Sequence, residues 1–180
     1  MGEDVPLHII HLDQDDPKKC TARKLGKRKL ATLHFNTRRP PRRGYLLDPS
    51  AGIILGPDDI PLINKGASLV TLDCSWKRLD ESLNQIRKIS PRLDGRTLPL
   101  VLAANPVSWG QPGRLSTAEA LAMCLVLMNH DDQAQRLLSP FSWGDQFFLL
   151  NEEPLLAYKN AHSREELIDL QWEFFDKPDD

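Results

Sequence analysis

The sequence predicts an α/β protein with a largely parallel sheet. Short apolar runs typical of strands alternate with helical patterns, the last third of the chain is helical in pattern, and 41% of the 180 residues are hydrophobic, which is enough for a core. Residues 98–128 stand out, because an apolar run, a loop and an apolar helix follow one another there. In α/β proteins this arrangement can form a ligand crevice, although every α/β domain also needs such loops for its structure alone.

Several short apolar runs bounded by turn residues are predicted to be strands. They cover residues 5–12, 30–35, 45–47, 67–73 and 98–104, with a further strand or short element at 52–55. Residues 36–44, with the sequence NTRRPPRRG, are predicted to form an exposed loop or edge, because the two prolines lack the amide donors that an interior strand needs. Residues 18–29 are too basic and too poor in large apolar side chains to be core.

Helices are predicted where apolar residues recur at helical spacing or where a cap precedes them. One helix begins near residue 75 and ends at Ser90-Pro91. Two more cover 131–138 and 144–158, and Pro154 is a possible break in the last of them. Ser116 and Glu119 have the spacing of a capping box ahead of a helix that should be buried nearly all round, and Ser163 and Glu166 repeat this spacing.

Composition excludes several classes of protein. The sequence has no apolar run long enough for a membrane span and no pattern of a secretory signal, so a cytoplasmic protein is expected. Its three cysteines include no CxxC pair, which argues against a disulfide framework and a cysteine zinc site, and we expect no metal. GxGxxG, GxxxxGK[ST], HExxH and GxSxG motifs are absent.

Charge is distributed unevenly along the chain. The segment between Pro17 and Leu47 carries a net charge of +11 without one acid, whereas residues 151–180 carry −6. A basic segment of this kind favours a polyanion, and nucleic acid is the expected partner over a merely solvated surface. The candidate RNA-binding residues are Lys18, Lys19, Arg23, Lys24, Lys27, Arg28, Lys29, Arg38, Arg39, Arg42 and Arg43.

Asp73 is the sharpest candidate for chemistry, because it ends an apolar strand, where burial could tune it as a general base. It could equally cap the helix that begins near Ser75. Trp76 could stack on a planar ring or fill the core, and Cys74 is predicted to be an inert thiol. His8 and His11 of the first strand are read as structural or surface groups.

Five stretches of the chain resemble the small-subunit rRNA aminocarboxypropyltransferase family of ribosome biogenesis. They are DPKKCTARKL at 16–25, LDPSA at 47–51, DCSW at 73–76, RTLPLVLAANPVSWGQPGRLSTAEA at 96–120 and FSWGDQFFLLNEEPLLAY at 141–158. The stretches follow the family's order over almost the whole chain, and the chain's short length is similar to that of archaeal members.

The resemblance implies a SPOUT-like fold with a carboxyl-terminal trefoil knot, which connection rules would not have predicted. It implies an amino-terminal α/β region over 1–70 that holds the basic segment, and a knotted cofactor-binding region over 71–180 that ends in helices. The implied reaction transfers the 3-amino-3-carboxypropyl group of S-adenosylmethionine to N3 of a (N1-methyl)pseudouridine in small-subunit rRNA and releases 5′-methylthioadenosine.

The resemblance also implies site residues. Asp73 would accept or orient the N3 proton. The implied cofactor contacts are Thr21, Leu47, Pro49, Leu72, Trp76, Leu98, Gly113 and Thr117. Gly113 departs from the family pattern, since many relatives carry an aromatic residue there, and Trp109 stands where tyrosine is usual.

Two other function classes share part of these features. A SPOUT-type methyltransferase would use the same cofactor and fold, whereas a non-catalytic RNA-binding assembly factor would share only the basic segment. The expected partner is small-subunit rRNA or a pre-ribosomal particle, with no membrane, and the protein is expected to act as a monomer.

Overall fold

The computed structural model describes residues 2–12, 20–73 and 78–179. The chain divides into two compact units. Met1–Ile53 and Leu62–Thr97 form the first, which we call the sheet unit, and Ile54–Pro61 and Leu98–Asp180 form the second, which we call the helical unit. No helix of the described residues is long and apolar enough to cross a membrane.

The sheet unit is built on five parallel strands. In chain order they are β1 (Leu7–His11), β2 (Thr32–His34), β3 (Gly44–Leu47), β4 (Ser68–Asp73) and β5 (Leu93–Arg96), and their order in the sheet is β2-β1-β4-β3-β5. All four pairings are parallel. The predicted α/β class and parallel sheet are thus confirmed, and the carboxyl ends of the central strands β1, β3 and β4 lie side by side.

Burial of apolar side chains holds this sheet together. Ile10, Leu46 and Val70 of the three central strands pack with Leu83 and Ile86 of helix α3 (Leu79–Ile89). Each such side chain contributes about 1.5–3 kcal/mol on burial. The residues on the central strands are apolar because both faces of a parallel sheet are usually covered.

The basic segment contributes more to this core than its composition predicts. Helix α1 (Thr21–Lys27) buries Ala22 and Leu25 completely. The expectation that residues 18–29 lie outside the core was therefore wrong for one helical face, since two apolar residues at i and i+3 suffice to anchor a short helix.

The helical unit contains five helices after residue 98. They are α4 (Thr117–Leu127), α5 (Asp131–Leu138), α6 (Gly144–Leu150), α7 (Glu152–Asn160) and α8 (Arg164–Phe174), while a 3-10 turn (Pro57–Asp59) leads into the short helix α2 (Ile60–Ile63). α4 is buried nearly all round, as predicted, and it begins with the predicted capping box of Ser116 and Glu119.

The predicted strand at 98–104 is wrong. The segment is extended, but among the described residues its one bridge is the isolated pair of Leu102 and Pro112. Helix side chains take the place of a neighbouring strand: Asn151 accepts from the Leu102 amide at 2.7 Å and donates to its carbonyl at 2.8 Å. The Gln171 side chain accepts from the Leu100 amide at 3.3 Å, and the Tyr158 hydroxyl donates to the Leu100 carbonyl at 2.8 Å.

The predicted long helix over 144–158 is two helices, α6 and α7. They meet at Asn151, whose side chain turns to residue 102, and not at Pro154. Pro154 lies in the first turn of α7, where its missing amide donor costs nothing. At the start of α8, Ser163 caps the helix as predicted, but Glu166 accepts from the amide of His162 and so does not complete the box.

The boundaries of the two compact units differ from the boundary between the predicted regions 1–70 and 71–180. β4 runs across residue 70 and pairs with β1 and β3, so the chain up to Thr97 stays with the sheet. Residues 54–61 belong with the helices, because Arg164 of α8 donates to the Ile54 carbonyl at 2.7 Å and to Asp59 at 3.0 Å.

Candidate active site

Asp73 ends β4, and its neighbour in the sheet is the last residue of β1. The two strands are in register so that His11 pairs with Asp73. His11 is buried at 1% exposure, the Asp73 side chain is 14% exposed, and 3.9 Å separates His11 Nε2 from Asp73 Oδ2. The carboxylate is therefore sheltered but reachable at the carboxyl edge of the sheet, which is where α/β proteins place their ligands.

Cys20 completes a cluster with these two residues. It is the N-cap residue of α1, and its thiol donates to Asp73 Oδ2 at 3.3 Å and lies 3.5 Å from His11 Nε2. Burial raises the pKa of the Cys20 thiol, and the negative charge of Asp73 raises it further. Cys20 therefore stays protonated at neutral pH and acts as a hydrogen-bond donor, not as a nucleophile.

This cluster can hold a carboxylate in one orientation and let it accept a proton. Its donor atoms all lie within 4.8 Å of one another, so the same three side chains could also hold a divalent metal ion. Hydrogen bonds among the three groups account for the spacing as it stands. Sequence reasoning missed His11 and Cys20 as site residues; the signal was that two apolar strands end in titratable residues, at 11 and at 73.

The helix α3 begins at Leu79, with Arg78 at its N-cap, so Asp73 does not cap α3. The predicted helix start near Ser75, which Asp73 could cap, lies outside the described residues. Cys74 and Trp76, for which inert and stacking roles were considered, lie outside the described residues.

Four of the predicted cofactor residues lie in the sheet unit near the same edge. Leu72 precedes Asp73 in β4, and Leu47 ends β3; both are half-buried. Thr21 is the first residue of α1, next to Cys20, and Pro49 is exposed in the turn after β3. The structure thus places these four residues near the carboxyl edge of the sheet, where Asp73 ends β4.

Asp48 holds the turn after β3, and sequence reasoning missed it. The buried carboxylate accepts from the Ser50 amide at 2.8 Å and the Ser50 hydroxyl at 2.7 Å, and it forms an ion pair with Arg87 of α3. Its backbone carbonyl accepts from the Thr97 hydroxyl at 2.9 Å. The LDPSA motif therefore has a structural reason: the aspartate fixes the backbone on which Leu47 and Pro49 are carried.

Three further predicted cofactor residues lie in the helical unit, along residues 98–117. Leu98 begins the extended segment and Thr117 is the first residue of α4. Gly113 has a φ of +69°, and its amide donates to the Val101 carbonyl at 2.9 Å. This left-handed backbone favours glycine over a bulky residue.

Glu119 organises this loop from inside. Its carboxylate is fully buried and accepts from the amides of Ala104 at 2.6 Å, Asn105 at 3.0 Å and Ser116 at 2.7 Å. It also accepts from the Asn105 side chain at 2.7 Å. Four N–H donors neutralise the cost of burying the charge, and they join both ends of the loop to the first turn of α4.

Most of the basic residues that the sequence singled out are on the surface of the sheet unit. Lys24 and Lys27 lie on α1, and those that are exposed there and in the two following loops are Lys24, Lys27, Arg28, Lys29, Arg38, Arg39, Arg42 and Arg43. Arg23 is half-buried, and Lys18 and Lys19 lie outside the described residues. The segment 36–44 contains no strand before Gly44, as predicted, so its arginines are accessible.

Comparisons with known proteins match nearly the whole chain. A family model described as "Ribosome biogenesis protein, C-terminal" matches residues 45–175. The 16S rRNA aminocarboxypropyltransferase of Methanosarcina mazei is 42% identical over 94% of this chain and 95% of its own length, and that of Halobacterium salinarum is 41% identical over 97% and 99%.

A solved structure agrees with these relatives. The SAM-dependent rRNA:acp-transferase Tsr3 from Vulcanisaeta distributa superposes with a TM-score of 0.81 at 33% identity, covering 95% of this chain and 89% of its own. A second family model, for a possible Fer4-like domain in RNase L inhibitor, matches residues 5–39. That stretch contains one cysteine, Cys20, whereas an iron–sulfur cluster takes four ligands, so the residues do not fit a cluster.

Proposed function

This chain belongs to the ribosome biogenesis protein family that includes the S-adenosylmethionine-dependent rRNA aminocarboxypropyltransferases, and we propose from this its complete reaction. It transfers the 3-amino-3-carboxypropyl group of S-adenosylmethionine to N3 of a (N1-methyl)pseudouridine in small-subunit rRNA, with 5′-methylthioadenosine as the product that leaves. The observation that carries the proposal is the match at 42% identity over 94% of the chain to a 16S rRNA aminocarboxypropyltransferase.

Asp73 is the residue that we assign to the proton on N3. When bound, the cofactor would supply an electrophilic γ-carbon for N3, and the broken carbon–sulfur bond would leave its electron pair on sulfur. The Asp73 carboxylate accepts or orients the proton that N3 loses, and the donor thiol of Cys20 fixes the oxygen Oδ2. Burial beside His11 limits water around this carboxylate.

The residues at the strand ends fit such a cofactor. Half-buried Leu47 and Leu72, together with Pro49, offer apolar surface, and Thr21 offers a hydroxyl at the start of α1. Leu98, Gly113, Thr117 and Trp76 complete the proposed contact set. All three carbons on the sulfonium are electrophilic, so transfer of the aminocarboxypropyl group, not of the methyl, depends on which carbon these residues turn toward the acceptor.

We propose further that the fold is SPOUT-like, with a trefoil knot in a cofactor-binding region over 71–180 and an RNA-binding region over 1–70. The resemblance of the sequence to the family supports this, and the likeness to the Tsr3 structure supports a shared fold. We also propose that the protein is a monomer in the cytoplasm. Measuring its mass in solution tests the oligomeric state.

A labelling experiment separates the three function classes. Small-subunit RNA that lacks the modification is incubated with the protein and with cofactor labelled either in the carboxyl carbon or in the methyl group. We expect carboxyl label in the RNA. Methyl label would identify a methyltransferase, and tight RNA binding without label would identify a non-catalytic assembly factor.

Replacing Asp73 tests its assigned role within the same assay. Asp73→Asn keeps the shape of the side chain but removes its capacity to accept a proton, so we expect transfer to slow by about 10²–10⁴-fold. Cofactor affinity, measured by calorimetry, should stay within a few-fold of the parent. Asp94→Asn, at an exposed position of β5, is the matched control. Full turnover by Asp73→Asn would contradict the role.

Salt dependence of RNA binding tests the basic segment. Arg42→Gln and Arg43→Gln each remove one exposed positive charge. For every phosphate that is no longer bound, the slope of log affinity against log salt should fall by about 0.7–0.9. Arg92→Gln, exposed outside the segment, is the control. An unchanged slope in both segment variants would place the RNA elsewhere.

A further inference from the structure

We infer that the loop after β2 holds one unpaired base of the substrate RNA, stacked on Phe35 beside the candidate active site. The site, which we call the Phe35 pocket, is lined by His34, Phe35, Asn36, Arg38 and Arg39. The inference rests on the proposed function and adds to it a binding position for a nucleotide that flanks the target.

Phe35 is a large aromatic side chain that the fold leaves in solvent. It is 63% exposed, although burial would stabilise the protein. One side of the ring contacts the protein, because the His11 ring stacks on it with 6.0 Å between ring centroids and 29° between their planes. The open surface of the ring offers a stacking platform for a base, since every base has a π-face.

The space beside the ring suits one nucleotide. The pocket has a volume of about 310 Å³, which lies at the small end of the range for ligand sites. Asn36 Oδ1 accepts from the Arg38 amide at 3.0 Å, which shapes the loop and leaves the amide nitrogen of Asn36 for a base edge.

Charge favours RNA over a protein as the occupant. Arg38 and Arg39 are exposed, and within the part of the chain that the structure describes neither guanidinium forms an ion pair. They lie in the acid-free stretch between Pro17 and Leu47. An aromatic ring flanked by two available arginines is the combination that binds single-stranded nucleic acid, with the ring on the base and the guanidinium groups on phosphates.

One side chain connects the pocket to Asp73. The His11 ring contacts Phe35, and its Nε2 lies 3.9 Å from Asp73 Oδ2. The Phe35 and His11 side chains therefore lie between a base stacked on Phe35 and the carboxylate, so this base is not the one whose N3 reacts, and we assign it to a nucleotide beside the target. The pocket would hold the RNA strand while the target base reaches Asp73.

Fluorescence of a base analogue tests the stacking directly. The probe is an unstructured RNA oligonucleotide that contains the target sequence, with 2-aminopurine placed in turn on each side of the target uridine. We expect the parent protein to quench 2-aminopurine at one flanking position. Phe35→Ala should remove this quenching and weaken RNA binding about 10-fold, while Phe35→Trp should retain both.

Three controls separate stacking from charge and from misfolding. Leu149→Ala removes an equally exposed apolar side chain of α6 and should leave RNA binding unchanged. Cofactor affinity and thermal unfolding should be the same in Phe35→Ala and the parent. Phe35→Ala should keep the parent's salt slope, whereas Arg38→Gln and Arg39→Gln should each reduce it by about 0.7, as single strands do per phosphate.

Persistent quenching and parental RNA affinity in Phe35→Ala would overturn the inference, and the ring would then be a candidate contact for a protein. Failure of this inference can be distinguished from failure of the proposed function. If the parent transfers carboxyl label to RNA and Phe35→Ala does so with the same KM, only the pocket is refuted. If the parent transfers no label and Phe35→Ala still weakens RNA binding, the reaction is refuted and the pocket stands.

Discussion

The sheet unit and the helical unit satisfy the backbone of an extended segment in two different ways. β4 pairs with β1 and β3, so its amides and carbonyls are bonded by other backbones. Residues 98–104 are bonded largely by side chains, among them Glu119, Asn151 and Gln171. A ladder of backbone bonds does not depend on which side chains are present, whereas the second arrangement does. Single polar side chains should therefore matter more in the helical unit than in the sheet.

Replacing Glu119 should have the largest effect. In the parent, the Glu119 carboxylate accepts from four N–H donors. In Glu119→Gln an amide group replaces this carboxylate, and at least one buried donor would lose its partner. We expect a loss of about 3 kcal/mol in the free energy of unfolding, measured by urea titration.

Glu81→Gln is the matched control, since Glu81 is an exposed acid in the first turn of α3. It should cost less than about 1 kcal/mol, the usual contribution of such a charge to a helix terminus. Equal losses in the two variants would contradict the view that the helical unit depends on specific polar side chains.

A core deletion in the sheet unit should have a smaller effect. Ile10→Val removes one methylene from a fully buried position of β1 but leaves every backbone bond of the ladder in place. We expect a loss of about 1 kcal/mol in the same titration. Ile53→Val, at a position that is 44% exposed, should change stability by less than about 0.5 kcal/mol. A loss for Ile10→Val as large as that for Glu119→Gln would erase the difference between the units.

The smallest effect should come from a polar side-chain pair that bridges β1 and β2 in the sheet. His8 Nδ1 and His34 Nε2 lie 2.9 Å apart, so one ring must be neutral to accept. Burial lowers the pKa of His8, with the charge of His34 adding to it, and burial lowers the pKa of His34. Because both folded-state values lie below the ordinary 6.5, the unfolded chain binds more protons below that pH.

The pair's contribution is therefore complete above pH 6.5 and is lost as the pH falls through the lowered values. Thermal unfolding at about pH 7.5 and about pH 5.5, on either side of the ordinary histidine pKa, should show a smaller acid-induced drop in Tm for His34→Asn than for the parent. Thr32→Ser, at an exposed position of β2, removes no titratable group and should keep the parent's drop. If His34→Asn also keeps it, the pair does not sense pH.

The sequence predicted the strands and helices well where one local pattern decides. The strands β1 to β4, the capping box of Ser116 and Glu119, and α5 followed from apolar spacing and caps alone, whereas the edge strand β5 did not. The segment 98–104 was wrong because an apolar run looks the same whether a strand or a set of side chains satisfies its backbone. Its partners lie up to 71 residues away, where no local pattern can reveal them.

The site was predicted in part for the same reason. Asp73 was found from its place at a strand end, and that place is confirmed, while its role stays a prediction. His11 and Cys20 were missed because their nearness to Asp73 depends on β1 lying next to β4, and strand order cannot be seen in the sequence. Phe35 was missed because exposure is a property of the folded chain.

The hydrogen bonding of residues 98–104 also determines when, during synthesis of the protein, this segment can reach its final structure. Tyr158 follows Leu100 by 58 residues, and Gln171 follows it by 71. At about 5–20 residues per second, a ribosome needs about 4 to 14 s to add the last of these partners after Leu100 itself. Every newly made molecule therefore passes through an interval in which the backbone of Leu100 cannot form its final hydrogen bonds, because the side chains of Tyr158 and Gln171 have not yet been made.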